Sequence, residues 1–76
     1  TGLLDRLPAE LRARVGSVVV MGGVAALRLV DGVEIRLGPA VDVTIKGRTA
    51  HAVLEALGDT RVSYVDVRVP GAPVTG

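Results

Sequence analysis

Val24-Ala25-Ala26-Leu27-Arg28-Leu29-Val30-Asp31-Gly32-Val33-Glu34-Ile35-Arg36-Leu37 decides how this chain folds. Apolar residues alternate with others on both sides of an Asp-Gly pair, the period of two that marks half-buried β-strands joined by a hairpin. A two-residue Asp31-Gly32 loop sets Leu29 opposite Glu34 and Arg28 opposite Ile35, mixing apolar and charged side chains on both faces. A three-residue loop, Val30-Asp31-Gly32 with Gly32 left-handed, pairs Leu29 with Val33 and Leu27 with Ile35, and leaves Arg28 opposite Glu34 on the other face. A slip of one residue carries every side chain across the sheet, so the hydrophobic pattern selects the longer loop.

The same register extends backwards. Ser17 to Met21, with Val18-Val19-Val20 at its centre, is β-branched and reaches Val24 through Gly22-Gly23, a primed-turn signal. Val18, Val20, Ala25, Leu27, Leu29, Val33, Ile35 and Leu37 then share one face, the expected core. Val19, Met21, Val24, Ala26, Arg28, Glu34 and Arg36 share the other, apolar at one end and charged at the other. That face reads either as solvent surface with scattered aliphatics or as a contact patch for a neighbouring domain or chain.

Two helices are expected around this meander. In Leu3 to Val15, the residues Leu7, Leu11 and Val15 recur every fourth position, Pro8 stands in the first turn and Gly16 ends the run. From about 43 to 57, Ile45, Thr49, Ala52, Val53, Ala56 and Leu57 share a helical face, with Asp42 as N-cap and Gly58 as stop. Val41 to Ile45 is strand-like locally, and Gly47 costs about 1 kcal/mol inside a helix relative to alanine, so the first turn is the least defined. A closing strand runs from Arg61 to Val69, with Val65, Val67 and Val69 inward and Tyr64, Asp66 and Arg68 outward, until Pro70 and Pro73 end it. The fold class is therefore α+β, a two-layer domain of antiparallel sheet in the order helix, three-strand meander, helix, closing strand, both helices on one face.

Composition bounds what such a domain does. The chain has 76 residues, nine Lys plus Arg against eight Asp plus Glu, and no Cys, Phe or Trp. A single small domain follows, burying roughly 60% of its unfolded surface in an aliphatic core without disulfide support. Balanced charge gives no reason to expect nucleic acid. No stretch approaches the roughly 18 apolar residues of a membrane helix. A beginning at Thr1-Gly2 instead of Met suggests a piece of a longer protein, with any anchor upstream.

Catalytic candidates are few. His51, the one histidine, lies off the apolar stripe of the second helix and reads as solvated. Ser17 and Ser63 lack a histidine or lysine nearby to activate them. Asp31, Glu34 and Asp66 are interleaved with Arg28, Arg36 and Arg68, the pattern of cross-strand ion pairs on a wet face. Ile45-Lys46-Gly47-Arg48 is no phosphate loop, and metal-ligand spacing is missing. No enzymatic activity, cofactor or metal is expected. Interaction is: Tyr64 and Arg68 are residue types that anchor interfaces, and the tail Pro70-Gly71-Ala72-Pro73-Val74 suits addition of a partner strand through backbone hydrogen bonds.

Ser63-Tyr64-Val65-Asp66-Val67-Arg68-Val69, running into Gly71-Ala72-Pro73-Val74, resembles the closing strand of the FtsQ/DivIB family of bacterial cell-division proteins. Leu7-Pro8-x-x-Leu11-x-x-x-Val15 is similar to the family's helix before the sheet, and Asp31-Gly32-x-x-x-x-Leu37-Gly38 to its hairpin. Lys46 with Val53-Leu54-x-x-Leu57 is similar to its following helix, so the likeness covers about residues 7 to 74. It implies the extracytoplasmic β-domain of a single-pass membrane protein at the division septum, with membrane anchor and POTRA domain outside this chain. It implies a non-catalytic divisome scaffold that binds FtsB/FtsL (DivIC)-like partners by strand addition at the closing strand. Carried over by position, it points to Tyr64, Arg68, Val69, Gly71, Ala72 and Val74 as partner-binding residues. Val69 stands where an aromatic often sits in the family, and no aromatic follows the tail, so backbone pairing is expected to carry more of the affinity. The competing reading is a small ligand-binding or regulatory α+β module, with a pocket between sheet and second helix around Ile45 and His51. The isolated fragment is expected to be monomeric.

Overall fold

The computed structural model describes residues 3–76. Leu4–Arg6 forms a 3-10 turn, followed by α1 (Ala9–Arg12), β1 (Val15–Met21), β2 (Val24–Leu29), β3 (Glu34–Pro39), α2 (Val43–Leu57), β4 (Tyr64–Asp66) and β5 (Val74–Thr75). The five strands make one open sheet in chain order, with α2 and the amino-terminal turns packed on one face. The α+β architecture is as expected.

The register of the meander holds. Met21 opposes Val24 across Gly22-Gly23, Leu27 opposes Ile35 and Arg28 opposes Glu34. Leu29 N–H donates to the Val33 carbonyl at 2.9 Å, and Gly32 takes the left-handed conformation at φ 96°. A bulge at Gly16 lets Val15 face inward with Val18, although only two residues separate them. Ala25, Leu27, Leu29, Ile35 and Leu37 are buried as expected. Val20 is not. It is 64% exposed, because α2 packs on β3 and β4 and the helical layer stops short of this end of edge strand β1.

The first helix is shorter than the Leu3 to Val15 expected. The residue before a proline is pushed out of the helical region, and Leu7 is extended at φ −88°, ψ 152°. The chain therefore makes one 3-10 turn, breaks at Leu7-Pro8, and restarts as a single helical turn with Pro8 as N-cap, while Val15 starts β1. Leu7 and Leu11 still reach the core, which they share with Val43, Ala50, Leu54, Val65 and Val67.

Helix α2 has the expected limits and a different buried face. Val43, Lys46, Gly47, Ala50 and Leu54 face inward, whereas Ile45 is 53% exposed. Two residues that hydropathy counts as poor core formers rotate the helix. Lys46 is only 2% exposed, its stem lying in the core and its Nζ donating to the Pro39 carbonyl at 2.9 Å. Gly47 lets α2 approach the break: a Cβ there would lie 2.8 Å from Leu7 Cδ2 and 3.1 Å from Pro8 Cδ. Asp42 caps nothing with its side chain; it sits left-handed at φ 54°, and its carbonyl accepts from Lys46 N–H.

Two departures concern the carboxyl-terminal third. Strand β4 runs parallel to β3, Ile35 opposite Val65, with α2 as the crossover. The closing strand is also short. Glu34 N–H to Ser63 O and Val67 N–H to Arg36 O bound the pairing with β3, and the residues after Arg68 turn.

Candidate interaction edge

The outward residues of β3 and β4 lie side by side: Tyr64 opposite Glu34 and Asp66 opposite Arg36. Parallel pairing in this register builds a charged lattice along each strand instead of the expected cross-strand ion pairs. Arg36 Nε donates to Glu34 Oε1 of its own strand at 3.0 Å, and its guanidinium carbon lies 4.0 Å from the Tyr64 ring centre, a cation–π contact. Asp66, 8% exposed, accepts from Arg68 N–H, Nε and Nη2 at 2.8 to 3.0 Å. Burial pushes the Asp66 carboxyl up; the hydrogen bonds from Arg68 and the charges of Arg68 and Arg36 outweigh it and hold the pKa below its ordinary value. Gly38, left-handed at φ 71°, leaves space for the Arg68 stem, whose Cγ would lie 2.8 Å from a Cβ at that position.

Beyond Arg68 the chain reverses. Ala72 N–H donates to the Val69 carbonyl, closing a turn, and β5 returns antiparallel along β4 with Asp66 opposite Val74 and Val65 opposite Thr75. Gly76 exchanges backbone bonds with Tyr64 at 3.3 and 3.4 Å, and its carbonyl accepts from Ser63 N–H at 2.6 Å. It lies so close to the Tyr64 side chain that a Cβ would fall 2.5 Å from Cε2. The free edge of β4 is thus covered by the chain's own tail, and β5 becomes the outer strand.

Each sequence-selected residue has a definite place here. Tyr64 is half-buried under Arg36. Arg68 is exposed at the surface, its guanidinium held by Asp66. Val69, Gly71 and Ala72 belong to the turn, and Val74 lies on β5, 54% exposed. They do not continue one strand. Asp66 and Arg36 were expected only as members of wet-face ion pairs and Gly38 only within the hairpin, because their grouping requires the parallel β3–β4 register that alternation within either strand does not encode. At the far end of the sheet Val19, Met21 and Val24 are exposed together on the outer face.

Beneath the middle of α2 the sheet is covered by aliphatic side chains and Ile45 is exposed away from them, while a cavity of about 250 Å³ remains at the far end of α2, beside Asp31, Val33, Leu54, Leu57 and Val62. His51 is half-buried rather than fully solvated, with Nδ1 shielded and unpartnered among the described residues and Nε2 3.9 Å from Glu55 Oε1. No cluster of His, Asp or Glu suited to a metal ion occurs among the described residues, and no helix among them is long and apolar enough to cross a membrane.

What these elements define is a small α+β domain whose sheet ends in a short exposed edge beside a self-paired charged face. The chain matches the family model described as cell division protein FtsQ/DivIB, C-terminal, over residues 1–68, and it belongs to that family. The family ties it to cell division; the turn and β5 lie beyond the matched residues. No curated protein and no solved structure matches the chain.

Proposed function

We propose that this domain is a non-catalytic scaffold module of the divisome that holds FtsB/FtsL (DivIC)-type partners by β-strand addition during septum formation. As the family resemblance implies, it would belong to a single-pass membrane protein and lie outside the cytoplasm. The observation that carries the reading is the exposed outer edge of β5. Gly76 and Tyr64 exchange both backbone hydrogen bonds, so two residues away Val74 also bonds inward, and Thr75 between them directs its N–H and C=O outward. Those two groups are the template for an added strand. Tyr64, Arg68, Val69, Gly71, Ala72 and Val74 frame that edge from the outer face and the turn.

Thr75→Pro tests the reading, because it deletes the outward N–H and spares the bonds to β4. Affinity for a soluble FtsB/FtsL-type heterodimer should fall at least tenfold, about 1.4 kcal/mol, with the melting temperature unchanged. Unaltered affinity would remove β5 from the interface.

A further inference from the structure

A groove of about 330 Å³ opens in the helical layer, between the Leu7-Pro8 break and α2. Its floor is apolar: Leu7, Pro8 and Ala52. The floor is also fixed, since Leu7 and Pro8 rest on Gly47 with no space for even a methyl group between them. Arg6, Thr44, Arg48 and His51 complete the lining, and among the described residues no carboxylate contributes to it. Arg6 and Arg48 are exposed, and neither guanidinium makes a hydrogen bond or ion pair among the described residues; the same holds for Arg28 and Arg61, which lie outside the groove, whereas Arg12, Arg14, Arg36 and Arg68 all have carboxylate partners. Two uncommitted guanidiniums on a preformed apolar floor are a recognition surface that the strand edge does not use.

We propose that this groove docks an acidic segment of a protein partner carrying a central aliphatic residue. Carboxylates of the segment pair with Arg6 and Arg48, whose planar donors suit bidentate contacts, and the aliphatic side chain lies on Leu7, Pro8 and Ala52. The volume is at the small end of ligand sites, enough for one such side chain and its neighbours. A free inorganic anion would leave the apolar floor bare, and nucleic acid would call for a wider basic surface than two arginines provide.

The test is a titration of the isotope-labelled 76-residue chain with the capped peptide Glu-Glu-Leu-Glu-Glu, followed by amide chemical shifts. Shifts centred on Leu7, Arg48, His51 and Ala52 are expected. Arg6→Glu with Arg48→Glu should weaken binding at least tenfold, as should Ala52→Glu, which puts a carboxylate on the floor. Glu-Glu-Gly-Glu-Glu should bind at least fivefold more weakly, and Lys-Lys-Leu-Lys-Lys should not bind. Shifts spread elsewhere, charge-reversed variants that bind unchanged, or inorganic phosphate reproducing the same shifts would each overturn the proposal. Thr75→Pro should leave this binding intact, which separates the groove from the strand edge.

Discussion

The guanidinium carbon of Arg36 lies 4.0 Å from the centre of the Tyr64 ring, and Gly76 lies hard against the same side chain. Tyr64 thereby couples the polar face of β3 to the returning tail. Any residue larger than glycine at position 76 collides with the ring. Gly76→Val should therefore detach the tail while the core stays folded. Amide exchange at Tyr64, whose N–H donates to Gly76, should speed up at least tenfold, with Ile35 and Leu37 unchanged. Equal protection at Tyr64 in the variant would show that the tail is held by other means.

Gly38→Ala meets two obstacles at one site. The left-handed backbone costs a side chain roughly 1–2 kcal/mol, and the added methyl group lies 2.8 Å from Arg68 Cγ. Urea denaturation should register a loss of about 2 kcal/mol or more. Repeating the substitution in Arg68→Ala should recover the steric part and leave the backbone part, so the two changes will not add. Full additivity would mean that the Arg68 stem does not rest on Gly38.

Acid should loosen the β4 end first. The Asp66 pKa is lowered in the folded state, so its contribution is complete above the ordinary value of 3.8 and is lost as the pH falls below that through the folded value. Asp31 behaves the same way, chiefly because Val33 N–H donates to it, with Arg14 adding a hydrogen bond and charge against the effect of burial. Melting temperatures of the wild type should decline between pH 4 and pH 2, and Asp66→Asn should start lower at neutral pH and decline less. Parallel curves would remove Asp66 from the acid response.

The meander was legible because its determinants are local. Period-two alternation, a Gly-Gly turn and the choice between two Asp-Gly loop lengths fix Leu27 against Ile35 without knowledge of anything distant. The face of α2 was not, since Lys46 is buried by its stem and Gly47 by the approach of Leu7, and hydropathy ranks neither as core. The Leu7-Pro8 break is visible in retrospect: a proline at position 8 forbids the helical conformation at residue 7. Tyr64, Arg68 and Val74 were singled out by residue type and resemblance. Their arrangement follows from a hairpin in which Val74, Thr75 and Gly76, just after Pro73, return along β4, a pairing carried by backbone groups with no side-chain period to announce it.

Strand β5 pairs with β4 alone, and β4 reaches β3 only across the helix between them. The three amino-terminal strands are joined by tight hairpins, which form quickly because little chain must be closed, whereas the crossover closes a long loop and is slower. The topology therefore predicts that the tail docks last, onto a surface that exists only once β4 has paired with β3. Under the proposed strand addition, a partner that reads the outer edge of β5 would engage finished molecules and pass over half-folded ones, so that one short strand would double as a check on maturation.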